Sequence, residues 1–205
     1  MIGGLMRVAV VDDDEAARTS LVRLLRVEGY HAQGFAAPAE FLATAGTHAF
    51  ACAVLDLRMP GMTGLELQRA LAAAGLAVPV LFLSAFGTIP ETVRAMRDGA
   101  VDFLEKPVRP DALLDGVRRA VGTARDRITA QARHVSAAAR VALLSPRERE
   151  VLHAVARGRL NKQIAAELGI TVRTVKFHRA RVMEKTGVDS VPDLVRLLDD
   201  ATAAV

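Results

Sequence analysis

The sequence predicts an α/β fold, a doubly wound five-stranded parallel sheet, followed by a small all-α domain with a helix-turn-helix. Three observations support this prediction. Five short apolar runs alternate with helical patterns in the front half, polar side chains end four of those runs, and the rear segment shows only helical patterns. Alternating strands and helices are typical of a parallel sheet, and near-continuous apolar strands indicate burial on both faces.

The front half contains five predicted strands with four predicted helices between them. The first helix is the clearest, because Leu21, Leu24 and Leu25 lie on one apolar face with a 3.6-residue period. Gly29 then acts as its stop signal. The strands are predicted at Arg7–Val11, His31–Phe35, Phe50–Asp56, Val80–Ser84 and Asp102–Lys106, and the helices at Glu15–Glu28, Pro38–Ala45, Gly64–Ala74 and Ile89–Gly99.

A fifth helix is predicted to begin near Pro110 and to continue through a largely helical linker, residues 122–142. Its apolar residues follow a heptad pattern, which is weak because several core positions are small or polar. These positions are Leu114, Val117, Val121, Ala124, Ile128, Gln131, Val135, Ala138 and Ala142. Gly116 and Gly122 each lower helix propensity by about 1 kcal/mol, so a polar linker with chance periodicity is the alternative.

The rear segment, residues 143–205, is predicted to contain four helices. Ser145-Pro146-Arg147-Glu148 forms a capping box with proline at the first helical position, and that helix should end near Ala156. The other three helices are expected to start at caps on Asn161, Thr171 and Ser190. A short helix, a turn at Gly169 and a longer basic helix form the helix-turn-helix arrangement over Asn161–Lys185.

Composition limits the class of protein. With 205 residues, 51% of them apolar and 24% charged, the chain can fold into one large or two small globular domains. No apolar run approaches the roughly 20 residues of a membrane span, and the first six residues are too short for a signal peptide, so a cytoplasmic protein is expected. The single Cys52 excludes an intramolecular disulfide framework and any multi-cysteine metal site.

The formal net charge of +4 is unevenly distributed along the chain. Residues 1–121 carry 12 Lys and Arg against 14 Asp and Glu, whereas residues 122–142 and 143–205 each have a net charge of +3. Between Arg157 and Arg181 seven basic residues accompany one acid, Glu167. This distribution suggests that only the rear part of the chain binds a polyanion, although ordinary solvated helix faces would explain the charges equally well.

Polar residues end four predicted strands, and their types suit phosphoryl transfer. Asp12 and Asp13 follow the first strand, Asp56 ends the third, Ser84 the fourth and Lys106 the fifth. The carboxyl ends of parallel strands meet at one edge, where three converging carboxylates would need a divalent cation such as Mg²⁺. Asp56 would then attack a phosphoryl donor, while the metal, the lysine and the serine hydroxyl stabilise the phosphoryl oxygens. Each residue alone has a simpler explanation as a cap, turn or edge charge, but the combination favours a site.

With these motifs in order, residues 5–121 resemble the receiver domain of bacterial response regulators. The motifs are V-V-D-D-D-E, V-L-D-L-R-M-P-G-M-T-G, F-L-S-A and F-L-E-K-P. The resemblance implies a domain over residues 1–121 with the flavodoxin-like strand order 2-1-3-4-5. It also implies that Asp56 is the phosphoacceptor and binds Mg²⁺ with Asp13 and the backbone carbonyl of Arg58, while Asp12 acts through a metal-bound water.

The same resemblance suggests how phosphorylation would be sensed. Ser84 and Phe103 match the family's switch pair, and Lys106-Pro107 matches a lysine followed by a cis proline. Phe103 fits a plain core position equally well. Phe86, just past Ser84, would border the pocket.

The basic helix Thr171–Lys185 is interpreted as a DNA-recognition helix. Val175, Val182 and Met183 are expected to face the core, which leaves the basic residues and Phe177 outward. Arginine and lysine reach phosphates or guanine edges, and phenylalanine contacts a thymine methyl group. A solvated helix face is the alternative, which an exposed phenylalanine disfavours. The candidate DNA-binding residues are Asn161, Lys162, Arg173, Thr174, Lys176, Phe177, Ala180 and Arg181.

Residues Leu143–Asp199 resemble the four-helix DNA-binding domain of the NarL/FixJ group of response regulators, with its LuxR-type helix-turn-helix. The motifs are L-S-P-R-E-R-E-V-L, L-N-K-Q-I-A-A-E-L-G-I and R-T-V-K-F-H-R-A-R-V-M-E-K. The resemblance implies that Lys176 and Phe177 read the major groove. Ala180 stands where some relatives have a basic residue, so their sequence preference does not carry over.

Together the resemblances imply a two-component response regulator that catalyses only its own phosphoryl transfer and dephosphorylation. A cognate sensor histidine kinase would phosphorylate it, the homodimer would bind double-stranded promoter DNA, and RNA polymerase is a further expected partner. One alternative is a haloacid-dehalogenase-type phosphatase, which needs a second acid where this chain has Arg58. Another is a signalling adaptor that binds protein or RNA, which a gel shift with duplex DNA would distinguish.

Overall fold

The computed structural model describes residues 6–85 and 87–203, and the predicted pocket residue Phe86 lies outside these ranges. The chain divides into two compact units, Met1–Asp126 and Arg127–Val205. Within the described ranges, no helix has the length and apolar character needed to cross a membrane.

The first unit contains a five-stranded sheet in which every neighbouring pair of strands is parallel. The strands are β1 (Arg7–Val11), β2 (His31–Phe35), β3 (Cys52–Asp56), β4 (Val80–Ser84) and β5 (Asp102–Glu105). Their order is β2-β1-β3-β4-β5, which confirms the predicted fold class. The helices are α1 (Glu15–Val27), α2 (Pro38–Ala45), α3 (Gly64–Ala73) and α4 (Ile89–Arg97), and α5 (Pro110–Ala142) follows the last strand.

Both faces of the sheet are buried, as the apolar strands predicted. Successive side chains of a strand point to opposite faces. In β1, Val8 and Val10 therefore pack in the cluster that includes Leu113 of α5, whereas Ala9 and Val11 pack in the cluster on the other face. This two-sided packing fixes the carboxyl ends of β1, β3 and β4 along one edge of the sheet.

The bounds of β1, β2 and β4 are as predicted, and those of the other two strands differ from the predictions by one or two residues. β3 begins at Cys52 rather than Phe50, and β5 ends at Glu105, one residue before Lys106. The main-chain nitrogen of Lys106 still donates to the carbonyl oxygen of Ser84 at 2.8 Å, so the lysine remains tied to the end of the sheet.

The fifth helix is continuous over 33 residues and passes through residues 122–142. The boundary between the two units falls inside it, after Asp126. Its last turns belong to the second unit, because Ala137 is buried and Val141 packs against the core of that unit.

The second unit is helical throughout its described residues. After the end of α5 its helices are α6 (Pro146–Ala156), α7 (Asn161–Leu168), α8 (Val172–Thr186) and α9 (Val191–Thr202). The side chains of Ser145, Thr171 and Ser190 accept hydrogen bonds from the first turns of α6, α8 and α9, which confirms these three predicted caps. Gly169 ends α7 in the left-handed conformation, with φ of 65°, and so provides the turn of the helix-turn-helix.

The predicted cap at Asn161 is wrong. Leu160 occupies the N-cap position of α7, and its main-chain nitrogen donates to the side-chain oxygen of Gln163 at 2.8 Å. The side-chain oxygen of Asn161 instead accepts a hydrogen bond from the guanidinium of Arg179 at 2.7 Å. A charged donor on α8 therefore engages the oxygen that a cap would have used, and this bond joins the two helices of the motif.

Candidate functional site

Lys106 joins two of the acidic residues at the edge of the sheet. Its ammonium nitrogen lies 2.7 Å from a carboxylate oxygen of Asp12 and 2.5 Å from a carboxylate oxygen of Asp56. Both acids are buried, with 1% of Asp12 and 8% of Asp56 exposed. Burial alone would lower the pKa of Lys106, but the hydrogen bonds that its ammonium donates to both carboxylates raise this pKa above its usual value. The lysine is therefore charged and placed between the acids.

Main-chain nitrogens hold the other oxygens of the two carboxylates. The nitrogen of Arg58 donates to the second oxygen of Asp56 at 2.8 Å, and the nitrogen of Asp14 donates to Asp12 at 3.0 Å. Asp14 itself caps α1 by accepting from the nitrogens of Ala17 and Ala16, which hold the pKa of its carboxyl below the usual value. These hydrogen bonds thus hold the carboxylates of Asp12 and Asp56 in place and favour their charged form.

The oxygen ligands fit a hard divalent cation in type. Asp12, Asp13, Asp56 and the carbonyl of Arg58 supply only oxygen, at the ends of β1 and β3. In the structure, however, only two of the three acids meet, because the ammonium of Lys106 offsets their repulsion while Asp13 is exposed to solvent. In agreement, no group of three or more His, Cys, Asp or Glu side chains among residues 6–85 and 87–203 is arranged to hold a metal ion.

The predicted switch residues lie beside this pocket. Ser84 is buried at the end of β4, and the ring of Phe103 is half-buried, with its centroid 6.1 Å from that of Phe82. The ring lies against Gly87, where an added Cβ would come within 2.6 Å of its Cε1 atom. Phe103 thus occupies space that any side chain at position 87 would take. The Lys106–Pro107 peptide bond is cis.

Sequence reasoning missed two residues that shape the pocket. Gly64 begins α3 so close to β3 that a Cβ there would lie 2.4 Å from the carbonyl oxygen of Asp56. The guanidinium of Arg18 donates to the carbonyl oxygens of Asp12 at 2.7 Å and Asp13 at 3.3 Å. The glycine in M-T-G, the first residue of a predicted helix, was an available signal, whereas no sequence pattern indicated that Arg18 reaches back to the end of β1.

The second unit presents a basic face on α8. Val175 and Val182 are buried and Met183 packs partly against the core, as predicted. On the outer side Phe177 is 60% exposed. Four of the candidate DNA-binding residues on α8 share this exposed side with it: Arg173, Lys176, Ala180 and Arg181.

Several of the candidate DNA-binding residues also form hydrogen bonds or ion pairs within the second unit. Arg181 forms an ion pair with Glu184 at 2.7 Å, and the hydroxyl of Thr174 is 2.8 Å from that of Thr171. Asn161 is bonded to Arg179, whereas Lys162 is exposed on α7. The structure therefore leaves Lys162 and the exposed side of α8 as the outward cationic surface of the motif.

A partly buried ion pair fixes the carboxyl end of α8 to the start of α6. The ammonium of Lys185 is 2.7 Å from a carboxylate oxygen of Glu148, which also accepts from the main-chain nitrogen of Ser145 at 2.8 Å. The hydrogen bond from Lys185, followed by that from Ser145, lowers the pKa of Glu148 to about 2. The carboxylate is thus ionised throughout the ordinary pH range.

Comparison with known proteins gives the same two-part division. Residues 8–118 match the family model described as "Response regulator receiver domain", and residues 142–198 match "Bacterial regulatory proteins, luxR family". Nodulation protein W of Bradyrhizobium diazoefficiens is 43% identical over 190 residues, which cover 93% of this chain and 84% of that protein. Transcriptional regulatory protein FixJ of Azorhizobium caulinodans is 40% identical, covering 95% and 96%.

Solved structures extend the similarity to the whole chain. The response regulator StyR superposes with a TM-score of 0.83 at 41% identity, covering 96% of this chain and 99% of that one. Full-length FixJ from B. japonicum has a TM-score of 0.61 at 40% identity, covering 96% and 97%. Both similarities span the sheet unit and the helical unit together.

Proposed function

The chain belongs to the response regulators that join a receiver domain to a LuxR-type DNA-binding domain, and we propose that phosphorylation of Asp56 controls it. It is a two-component regulator of transcription. In the proposed cycle a sensor histidine kinase phosphorylates the receiver, residues 1–121, and the protein dimerises. The domain over residues 143–205 then binds promoter DNA, while residues 122–142 link the two. We place this cycle in the cytoplasm, where kinase and chromosomal DNA are both accessible.

The observation that best supports the phosphoacceptor role is the contact of Asp56 with Lys106. A carboxylate oxygen of Asp56 attacks the phosphorus, the new P–O bond forms, and the P–N bond to the donor imidazole breaks with its electron pair on nitrogen. The ammonium of Lys106, already 2.5 Å from this carboxylate, stabilises the charge on the phosphoryl oxygens. A nearby positive group matters here because positioning and charge stabilisation account for most of the catalysis of phosphoryl transfer.

Mg²⁺ is the proposed cofactor. Asp12, Asp13, Asp56 and the backbone carbonyl of Arg58 would hold it, and when bound it offsets the negative charge that collects at the phosphoryl group. The oxygen-only ligand set at the ends of β1 and β3 supports this assignment.

We further propose that Ser84 and Phe103 transmit the phosphorylated state. The hydroxyl of Ser84 donates to a phosphoryl oxygen, and Phe103 becomes more buried as the loop after β4 moves toward the phosphate. A symmetric dimer then forms through the face of α4 and α5. An apolar stripe on α4 supports this surface, because Ile89, Val93 and Met96 are exposed on one side of the helix.

Binding to promoter DNA is proposed through the exposed side of α8. Lys176 and Phe177 enter the major groove, and Lys162 on α7 contacts the phosphate backbone. A dimer places two recognition helices on paired half-sites, which raises affinity because the second contact becomes intramolecular. RNA polymerase is the proposed downstream partner.

Phosphorylation is tested by incubating the full-length protein with acetyl phosphate and Mg²⁺ and measuring the gain of one base-labile phosphoryl group. Asp56→Asn and removal of the metal should each abolish labelling. Asp111→Asn is the matched control, because this exposed acid at the start of α5 should leave labelling unchanged. Stoichiometric labelling of the Asp56→Asn variant would show that the phosphoacceptor lies elsewhere.

DNA binding is tested by selecting bound fragments from random duplex DNA, with and without phosphorylation. The phosphorylated protein should enrich a two-fold repeated sequence. If no duplex is enriched in either state, the signalling adaptor that binds protein or RNA becomes the better reading.

A further inference from the structure

The carboxyl end of α8 is held by a side chain from α5. The guanidinium of Arg140 donates to the main-chain carbonyl oxygen of Thr186, from Nε at 2.6 Å and from one terminal nitrogen as well. Both residues lie in the second unit. Arg140 thus connects the last turns of α5 to the last residue of the helix that carries the proposed DNA-reading side chains.

This carbonyl needs a donor from outside its own helix. Gly187 ends α8 in the left-handed conformation, and its nitrogen bonds to the carbonyl oxygen of Met183 at 2.9 Å, one turn before Thr186. Thr186 is buried, and a helix leaves its last carbonyls unpaired. The partial negative charge at this helix end also favours a cation. A planar guanidinium that donates twice restrains direction as well as distance.

The position of this contact means that a small change there would displace the proposed DNA-binding residues of α8. Lys176 lies ten residues before Thr186, or about 15 Å along the helix at 1.5 Å per residue. A tilt of about 10° at the held end would therefore move the outer residues by roughly 2.6 Å. Hydrogen bonds to base edges weaken steeply when the distance between donor and acceptor changes by less than this. A small tilt at the end of α8 thus becomes a displacement of that size at Lys176, and Arg140 adds to the restraint that the ion pair of Lys185 with Glu148 provides at this end.

We propose that Arg140 is a positioning residue for DNA recognition: it touches no base or phosphate, and it fixes the angle at which α8 enters the major groove. This inference rests on the proposed DNA binding by α8. It assigns a role in DNA recognition to the last turns of the linker helix, in addition to their packing against the core of the second unit.

The test compares Arg140→Ala and Arg140→Lys with Arg133→Ala in the full-length protein treated with beryllofluoride as a phosphate mimic. Arg133 is exposed on the same helix seven residues earlier, so its replacement changes the net charge equally. The DNA probe is the duplex fragment that the wild type enriches from a random pool. Affinity is measured at several salt concentrations, and thermal unfolding confirms that each variant is folded.

Arg140→Ala should lose roughly tenfold in affinity, about the value of one well-aligned base contact, with an unchanged salt dependence. Arg140→Lys keeps the charge but loses the second donor nitrogen, so it should recover only part of the affinity. This variant also tests the proposal if the alanine variant fails to fold. Arg133→Ala should bind as the wild type does. Wild-type affinity in a folded alanine variant would overturn the proposal, and so would wild-type affinity in the lysine variant if the alanine variant does not fold. A salt slope reduced by about one unit in Arg140→Ala would also overturn it, since such a reduction indicates direct phosphate contact. Failure of the wild type to enrich any duplex would instead contradict DNA binding itself, and the role of Arg140 with it.

Discussion

Gly116 of α5 lies directly against Leu81 of β4: a Cβ atom at position 116 would come within 2.9 Å of one leucine methyl and 3.3 Å of the other. Leu81 is fully buried in the middle of the sheet, so its side chain has little room to move. Gly122, six residues further along the same helix, has no atom within 4 Å of the corresponding position. Two glycines that look alike in the sequence therefore have different roles.

Alanine at these positions should change stability in opposite directions. Gly122→Ala should raise the free energy of unfolding by about 1 kcal/mol, because alanine is the better helix former. Gly116→Ala receives the same gain but forces a buried leucine to shift, at a cost of about 1–3 kcal/mol, so its net effect should be destabilising. Urea unfolding of both variants provides the measurement, and a stabilised Gly116→Ala would mean that helix α5 can move away from the sheet.

This pair shows where inference from the sequence ended. The heptad pattern and the glycine propensities are local features, and they predicted a long helix while treating both glycines only as weaknesses. Glycine is needed at position 116 because the helix lies against a strand residue 35 positions earlier in the sequence. No local sequence pattern reveals such a contact. The hydrogen bonds of Arg179 with Asn161, and of Arg140 with the main-chain carbonyl of Thr186, are contacts of the same long-range kind.

The proposed phosphorylation pocket was more predictable because its geometry follows from the topology. In a parallel sheet the carboxyl ends of β1, β3 and β4 must share an edge, so Asp12, Asp56 and Ser84 could be placed together from strand positions alone. What topology does not specify is the pairing of individual atoms. The ammonium of Lys106 meets two of the acids, whereas Asp13 stays in solvent.

The partly buried pair of Glu148 and Lys185 should make stability depend on pH. The pKa of Glu148 is lowered from 4.5 to about 2, so its contribution is complete above pH 4.5 and is lost as the pH falls toward 2. Glu148→Gln should therefore destabilise the protein at pH 7 by roughly 1.5–3 kcal/mol, the range for a hydrogen bond to a charged group. The difference from wild type should shrink as the pH is lowered from 4.5.

Thermal unfolding between pH 3 and pH 7 measures this difference. Glu150→Gln is the matched control on the same helix, because its pair with Arg147 is half-exposed and contributes little. If the loss of stability in Glu148→Gln were the same at every pH in this range, the pair would stabilise the protein through packing and not through charge.

Dimerisation should bring the linker helices of two copies together. Ile128 and Val135 are 62% and 55% exposed, and they are seven residues apart at heptad positions where β-branched residues favour two-stranded pairing. Ile128→Cys should therefore form a disulfide-linked dimer under mild oxidation, with a higher yield when beryllofluoride is bound. The native Cys52 should not interfere, because burial raises the pKa of its thiol to about 12.

Ala130→Cys provides the control, since two residues along a helix it faces away from Ile128 and should give little cross-linked product. Sedimentation of the wild type measures association independently of any cysteine. Equal cross-linking at both positions would indicate random collision, and identical association states with and without beryllofluoride would contradict a phosphorylation-driven dimer.

Two lysines of the second unit should contribute to DNA binding in different ways. If Lys176 enters the major groove, Lys176→Ala should cost on the order of 1–3 kcal/mol and weaken the preference at one or two positions of the half-site. Lys162, exposed on α7, should contact phosphate, so Lys162→Ala should weaken binding evenly across sequences and lower the salt slope by about one unit. Both variants should accept phosphate normally, because Asp56 lies in the other unit. If Lys176→Ala leaves both affinity and sequence preference unchanged at moderate salt, then α8 is not the helix that reads the operator.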